Sequence, residues 1–319
     1  MKWRLMQYLL AFGIILILNF ALPRLMPGNP IDAIYGQEAL VQMDAEMRRE
    51  LTRKFRLDDS VPEQFVAYIS GLMRGDLGYS YHHRAPVGAV ILSHLPWTIL
   101  LVGMAFISAS IIGVVAGIEA GWRRGTGLDR ACLTGFMSCS GLPAFFLGVL
   151  MILLFGVVLN WFPVQGARTQ YAGLSGAANL RDLLAHLALP VATLTVVFMP
   201  GMFLLSRSSM VRHIEEPYVL TARAKGLQQW KVRYRHVARN SLLPVITAAG
   251  LLFARRVVTG ALFVEIVFSY PGMGRLMHDA LLNRDYPLLQ GGLLLTAILV
   301  LGVNLMVDAI YRRLDPRIE

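Results

Sequence analysis

The chain has 319 residues, of which 55% are hydrophobic and 16% are charged, and its formal net charge is +10. This composition is too apolar for an ordinary soluble domain, and some apolar runs exceed the roughly 18 residues at which a membrane span becomes the default interpretation. The charge could suggest a nucleic-acid-binding protein, but in a membrane protein an excess of Lys and Arg marks loops that face the cytoplasm.

Six apolar segments are long enough to cross a membrane, so the predicted fold class is an all-α integral membrane protein. The predicted spans are residues 5–25, 97–120, 131–159, 185–206, 242–268 and 288–311. The basic residues before the first segment also suit a cleaved signal peptide. However, its apolar run is longer than a signal sequence requires and no A-x-A site follows it, so we interpret residues 1–25 as a retained transmembrane helix.

The charges of the loops predict the orientation of the spans. Lysine and arginine are concentrated in the N-terminus, the 121–130 loop, the 207–241 loop and the 312–319 tail. The alternate loops, 160–184 and 269–287, are short and nearly balanced in charge. By the positive-inside rule, both termini and the 207–241 loop are cytoplasmic.

Residues 26–95 are predicted to form a small helical segment on the extracytoplasmic side. One amphipathic helix is predicted where apolar residues repeat every fourth position, and another where Ser60 and Glu63 form a capping box around Pro62. The apolar positions of the first are Met43, Met47, Leu51 and Phe55, and those of the second are Phe65, Tyr68, Ile69 and Leu72.

The loop between the fourth and fifth predicted spans holds the densest positive charge. Residues 222–240 contain six lysines and arginines and no acid. Two glutamates before Pro217 predict the start of a short helix, and Gly226 predicts its end. A helix with Ala222, Ala224 and a basic rim suits a groove on another protein. A basic loop that only fixes topology or binds anionic lipid fits the charge as well.

A series of short strings follows one order along the whole chain. They are LMPGNP at 25–30, GDLG at 75–78, LPWT at 95–98, LPAFFLG at 142–148, RSSM at 207–210, YVLTARAKGL at 218–227, RHVARNSLLPV at 235–245, YPGMGRL at 270–276, RDYPLLQG at 284–291 and DPRI at 315–318. In this order they resemble the dipeptide/oligopeptide/nickel permease family, the transmembrane subunits of binding-protein-dependent ABC importers.

This resemblance implies a type I ABC importer permease fold with six transmembrane helices. The implied segments are the first helix (1–25), an extracytoplasmic helical insertion (26–95), a core permease domain (96–311) that includes the cytoplasmic loop, and a cytoplasmic tail (312–319). In the family, a short helix of that loop, the coupling helix, docks in a cleft of the ATPase. The matching positions here are Pro217, Tyr218, Thr221, Ala222, Arg223, Ala224, Lys225, Gly226 and Leu227. Leu220 replaces the leading Glu of the general motif.

The resemblance also implies the partners. The sequence contains no G-x-x-x-x-G-K-[ST] string, so ATP and Mg²⁺ are expected on separate subunits, with no cofactor on this chain and no enzymatic activity of its own. The implied partners are a second, related permease chain, two ATP-binding subunits, an extracytoplasmic solute-binding protein and the bilayer of a bacterial or archaeal inner membrane, without nucleic acid. The implied solute is a peptide, nickel or a metal chelate.

Two other classes of membrane protein fit the sequence less well. An ion-coupled secondary transporter would need intramembrane carboxylates. Glu119 and Asp308 lie near the predicted cytoplasmic ends of their spans, and Glu265, the deepest acidic residue, lies near the outer end of its span. Such a transporter would also leave the basic loop unexplained. A membrane enzyme would need a catalytic constellation such as G-x-S-x-G or H-E-x-x-H, and neither string occurs.

Arg255 and Arg256 depart from the expected apolar pattern. They lie about 16 Å along the fifth predicted span from Pro244, a depth at which a charge is costly unless it meets a wet cavity or a partner. One interpretation is that at least one of them lines the translocation path and meets a carboxylate of the solute. The other is a structural ion pair. The seven histidines show no metal-ligand spacing, so no metal site is predicted.

Overall fold

The computed structural model describes residues 2–25, 59–80, 82–169, 173–259 and 261–314. In these ranges the protein is helical apart from one short hairpin and the connecting loops, as predicted for an all-α chain. The predicted helix with Met43 and Phe55 and the DPRI string at the C-terminus lie outside the described residues.

The elements follow one another in a simple order. They are α1 (Lys2–Leu25), α2 (Val61–Met73), β1 (Tyr79–Ser80), β2 (Ala85–Pro86), α3 (Val87–Trp122), α4 (Gly127–Ser140), α5 (Ala144–Met151), α6 (Gly176–Ile214), α7 (Pro217–Ala224), α8 (Gln229–Lys231), α9 (Arg239–Thr259), α10 (Leu262–Val267), α11 (Met273–Leu282) and α12 (Tyr286–Leu314). Two π-helical segments, Ile152–Val158 and Val232–Ala238, continue α5 and connect α8 to α9. The strands β1 and β2 pair antiparallel.

Within the described residues, two helices, α3 and α6, are long and apolar enough to cross a membrane alone. They contain the predicted spans 97–120 and 185–206. Helix α4, and α5 with its π-helical segment, are each too short to cross alone. Together they pass the same test as one span, which is bent by 98° at the break between them. Shorter apolar stretches, Met6–Ala21 and Tyr286–Gly302, lie in α1 and α12.

Two predicted spans differ from the observed helices. The predicted span 131–159 is not one continuous helix: Pro143 is extended (φ −62°, ψ 138°), so α4 ends before it and α5 begins after it. The predicted span 242–268 is divided between α9 and α10. By contrast, α6 runs through Pro190 and Pro200 without a break.

The chain divides into two compact units, Met1–Trp97 with Gly272–Glu319 and Thr98–Pro271. We call them the first unit and the second unit. These units are defined by contacts within the chain. The predicted segments 1–25, 26–95, 96–311 and 312–319 divide the chain differently, by the side of the membrane on which each part is expected to lie, and they stay a prediction.

In the first unit, hydrogen bonds join α1 to α2 and α12. Asn19 Nδ2 donates to the Tyr68 hydroxyl at 3.0 Å and to the Gln290 carbonyl at 2.9 Å, and Gln290 Nε2 donates back to the Asn19 carbonyl. The predicted capping box at the start of α2 is confirmed, since the Ser60 N–H donates to Glu63 Oε2 at 2.9 Å. Hydrogen bonds from Ser60 hold the pKa of Glu63 below its ordinary value.

In the second unit, a stripe of glycines brings α3 against α6. A Cβ atom added at Gly117 would lie 2.7 Å from the Phe203 carbonyl oxygen, and one at Gly121 would lie 2.8 Å from Met210 Cβ. Gly113, one turn earlier, is equally crowded. Small residues spaced four apart let two helix backbones approach closely, so these two helices fit together without room for side chains on the stripe.

Candidate functional site

The short helix predicted in the basic loop is α7. It begins at Pro217 after the extended residue Glu216, and it ends before Gly226, whose φ of +71° suits glycine. The Gly226 N–H donates to the Arg223 carbonyl at 2.9 Å, and the Leu227 N–H donates to the Ala222 carbonyl at 3.4 Å. The predicted start and end of this helix are therefore confirmed.

One face of α7 is buried within the second unit. Val219 is fully buried and Ala222 is 5% exposed, and both belong to one apolar cluster. The other buried members are Ile118, Met210, Val232, Val237 and Ala238. Burial of these side chains holds α7 against the ends of α3 and α6 and against the second π-helical segment.

The opposite face of α7 is exposed. Leu220 is 66% exposed, and the exposed residues that follow it include Thr221, Arg223, Ala224 and Lys225. We call these five residues the outer face of α7. Since Ala222 is buried and Ala224 is exposed, the two alanines do not share one face. The outer face combines one large apolar side chain with positive charge.

Trp122, the last residue of α3, lies beside two arginines. Arg223 Cζ is 5.5 Å and Arg233 Cζ is 5.3 Å from the centre of the indole ring, within the range of cation–π interaction. Arg233 Nη1 also donates to both carboxylate oxygens of Glu119, at 2.7 and 2.8 Å. The Tyr234 hydroxyl donates to the same carboxylate, which raises the pKa of Tyr234.

A second ion pair links α4 to α6. Arg207 Nε and Nη2 donate to the two carboxylate oxygens of Asp129 at 2.6 and 2.8 Å, and the Gly125 N–H donates to Asp129 at 2.9 Å. The Asp129 side chain is 3% exposed and that of Arg207 is 21% exposed. This two-pronged geometry fixes the loop between α3 and α4 to the end of α6.

Other cations of the loop carry uncompensated charge. Lys225, Arg235 and Arg239 are exposed and form no ion pair with any residue that the structure describes. Trp230 is 57% exposed beside Lys231. The surface around α7 is therefore positive with exposed apolar groups, as a binding surface for an acidic partner would be.

The remaining predicted positions lie on other helices, α9 and α10. Arg255 and Arg256 lie on α9, but their side chains fall outside the described residues. Glu265 on α10 is fully buried and accepts a hydrogen bond from Thr98 at 2.6 Å. Among the residues with a described placement, no group of three or more His, Cys, Asp or Glu side chains could hold a metal ion.

The sequence did not identify Glu119, Trp122, Arg233 or Val219 as members of this site. The apolar residue Val219 could have been found from the helical spacing of Val219 and Ala222, which places them on one face. The pairing of Glu119 with Arg233 leaves no local pattern, because the two residues are 114 positions apart.

Comparison with known proteins defines the class of protein to which this fold and site belong. Residues 109–319 match the family described as "Binding-protein-dependent transport system inner membrane component". The chain therefore belongs to this family.

Relatives match over nearly the whole chain. The Di/tripeptide transport system permease protein DppB of Pseudomonas aeruginosa is 35% identical, over 97% of this chain and 94% of the relative. The Dipeptide transport system permease protein DppB of Escherichia coli is 34% identical, over 96% and 94%. The Oligopeptide transport system permease protein AppB of Bacillus subtilis is 33% identical, over 96% and 94%. The resemblance inferred from the strings is confirmed, and the chain is a permease component of a transport system, not an enzyme.

Proposed function

We propose that this chain is the permease subunit of an ATP-driven importer for peptides. A solute-binding protein on the extracytoplasmic side delivers the peptide, and a separate ATPase drives transport through residues 217–227. Peptides are favoured over nickel or a metal chelate because the three relatives are named for the transport of dipeptides, tripeptides or oligopeptides.

The observation that carries the proposal is that α7 is buried on one face and exposed on the other. Its inner face is fixed to the ends of α3 and α6, while its outer face presents Leu220, Arg223 and Lys225. Leu220, which is 66% exposed, lies beside the exposed side chains of Arg223 and Lys225, so the outer face combines an apolar contact with positive charge. This arrangement suits docking in a cleft with an apolar floor and an acidic rim, and a force applied there reaches the long helices directly.

The proposed assembly contains this chain, a second related permease chain, two ATP-binding subunits that carry ATP and Mg²⁺, and the binding protein. We further propose six spans, a helical insertion at 26–95 and cytoplasmic termini. The loop charges support this orientation through the positive-inside rule. The ion-coupled alternative is not favoured, because the family consists of components of binding-protein-dependent systems.

Crosslinking tests the docking of α7. In a chain whose native Cys132 and Cys139 are replaced by serine, Ala224→Cys labelled with a maleimide–benzophenone reagent is expected to photocrosslink to the ATPase, because the benzophenone inserts into C–H bonds and needs no particular residue opposite. Thr126→Cys, which is exposed on the α3–α4 loop rather than on α7, is a matched control. Docking of α7 predicts a much stronger product from Ala224→Cys. Absence of that product in an assembled, transport-active complex would overturn the proposal.

Arg255 and Arg256 are proposed for the substrate path on a separate argument. A charge deep in a span is costly unless it meets water or a partner, and a peptide carries a terminal carboxylate. Replacement of each arginine by glutamine is expected to lower peptide uptake while the complex still assembles. Loss of assembly would show instead that the arginines form structural ion pairs.

A further inference from the structure

Trp122 stands where three elements of the second unit meet. It ends α3, and both Arg223 of α7 and Arg233 of the second π-helical segment lie over its ring, at 5.5 and 5.3 Å. The indole is partly buried, so the two arginines interact with a ring that is shielded in part from water. A movement of α7 therefore changes a contact that α3 and the π-helical segment share.

The contact is reinforced one turn earlier on α3. Arg233 binds the Glu119 carboxylate at 2.7 and 2.8 Å, with side-chain exposures of 16% for Arg233 and 23% for Glu119. Partial burial weakens screening by water and salt, so this pair holds its geometry better than a surface pair does. Arg233 thus fixes the ring of Trp122 relative to α3, and Arg223 is the member contributed by α7.

The end of α3 is in turn joined to α6. The glycine stripe at 113, 117 and 121 leaves no space between the two helices, and Ser206 Oγ donates to the Val114 carbonyl at 3.1 Å. Closely packed helices move together, because sliding would force backbone atoms into contact. Any displacement received at Trp122 is consequently shared by α3 and α6.

We propose that Trp122 is a positioning residue that transmits the displacement of α7 to α3 and α6, through the paired contacts of Arg223 and Arg233. This inference rests on the proposed function, in which α7 is the docking element. The apolar cluster beneath α7 also holds it in place, but apolar contacts have no fixed direction. The two arginines over the indole ring and the Arg233–Glu119 ion pair have a defined geometry, so a displacement of α7 reaches α3 in a defined direction.

Coupling in the assembled importer tests this role. Peptide uptake per ATP hydrolysed is measured in proteoliposomes with the ATPase and the binding protein present. Trp122→Leu is expected to lower this ratio about three- to tenfold, the size of effect that loss of a cation–π contact produces, while ATP hydrolysis continues. Trp122→Phe keeps an aromatic ring and is expected to retain most of the ratio. Arg212→Gln is the matched charge control, because Arg212 is exposed and takes no part in the described cation–π contacts of Trp122 or in the ion pair of Glu119.

A double-mutant cycle separates transmission from direct docking by Arg223. If Arg223 acts through Trp122, then Arg223→Gln combined with Trp122→Leu lowers the ratio no further than the more severe single variant. If Arg223 acts only by touching the ATPase, the two effects multiply, and the inference is overturned. If Trp122→Leu fails to assemble, Trp122→Met takes its place in the cycle, because it also removes the aromatic ring but keeps more of the side-chain volume.

The outcomes also separate this inference from the proposed function. An unchanged ratio for Trp122→Leu, with Ala224→Cys still crosslinking to the ATPase, would overturn the role of Trp122 and leave the docking of α7 intact. Loss of the Ala224→Cys product would instead remove the proposed function, and the inference with it.

Discussion

Gly226 shows how a single residue sets the end of α7. Its φ of +71° lies in the left-handed region, and a Cβ atom there would meet no described atom within 4 Å. The requirement for glycine is therefore one of backbone conformation, not of space. Leu227, the next residue, packs against the apolar cluster beneath α7. A change in the turn at Gly226 would therefore displace Leu227 and alter the path of the chain from α7 to α8.

Replacement of Gly226 is expected to separate ATP hydrolysis from uptake. Gly226→Val places a β-branched residue in the left-handed region at a cost of about 1–2 kcal/mol or more, and uptake should fall while ATP hydrolysis remains. Gly226→Asn is the control, because asparagine tolerates this conformation. Equal uptake by the two variants in proteoliposomes would contradict the conformational explanation.

The ion pair of Asp129 and Arg207 makes a prediction about stability. Asp129→Asn leaves a partly buried guanidinium without its counter-ion, and it should lower the free energy of unfolding by about 2 kcal/mol. Glu215→Gln breaks a pair with Arg124 in which both side chains are mostly exposed, so its effect should stay below about 0.5 kcal/mol. Thermal unfolding in detergent compares the two variants, and equal shifts in melting temperature would be inconsistent with a buried pair at Asp129.

At the level of helices, the glycine stripe determines how α3 meets α6. A methyl group at Gly117 would lie 2.7 Å from both the Phe203 carbonyl oxygen and Ser206 Cβ. Neither atom is the mobile end of a side chain, so the backbones must separate. The close contact of these two helices is thus specified by three residues, each four positions from the next.

Alanine scanning of the stripe checks this packing. Gly117→Ala is expected to destabilise the protein by about 1–3 kcal/mol, the usual cost of overpacking. Gly103→Ala on the same helix has no described atom within 4 Å of its new methyl group and should be neutral or slightly stabilising. If the two substitutions shift the unfolding midpoint in the same direction and by the same amount, the stripe is not a packing surface.

Helices were predictable from the sequence where their apolar runs or capping residues are local signals. The bounds of α7 and the start of α2 follow from Pro217, Gly226 and the Ser60–Glu63 capping box. The bend at Pro143 could not be placed by hydrophobicity alone, because the runs on either side are both apolar. The neighbours of Trp122 depend on tertiary packing, and no periodicity in the sequence brings Arg233 to it.

For the whole molecule, the orientation in the membrane is a proposal that labelling can check. Met73, at the end of α2, is 85% exposed, and Ala224 is exposed on α7. In whole cells of the cysteine-free chain, Met73→Cys should react with a membrane-impermeant maleimide. Ala224→Cys should react only after the inner membrane is permeabilised. The reverse pattern would place the basic loop outside, against the positive-inside rule.

The hydrogen bonds between Asn19 and Gln290 connect residues that are 271 positions apart. At a synthesis rate of about 5–20 residues per second, roughly 14–54 s pass between the emergence of these two residues from the ribosome. Throughout that interval α1 has no α12 to pack against. Its apolar side chains suit contact with lipid during this time, and in the folded protein Leu9 is still 64% exposed and Leu10 63% exposed. Helix α1 is thus translated long before α12, and it gains its hydrogen bonds to Gln290 only after α12 has been made.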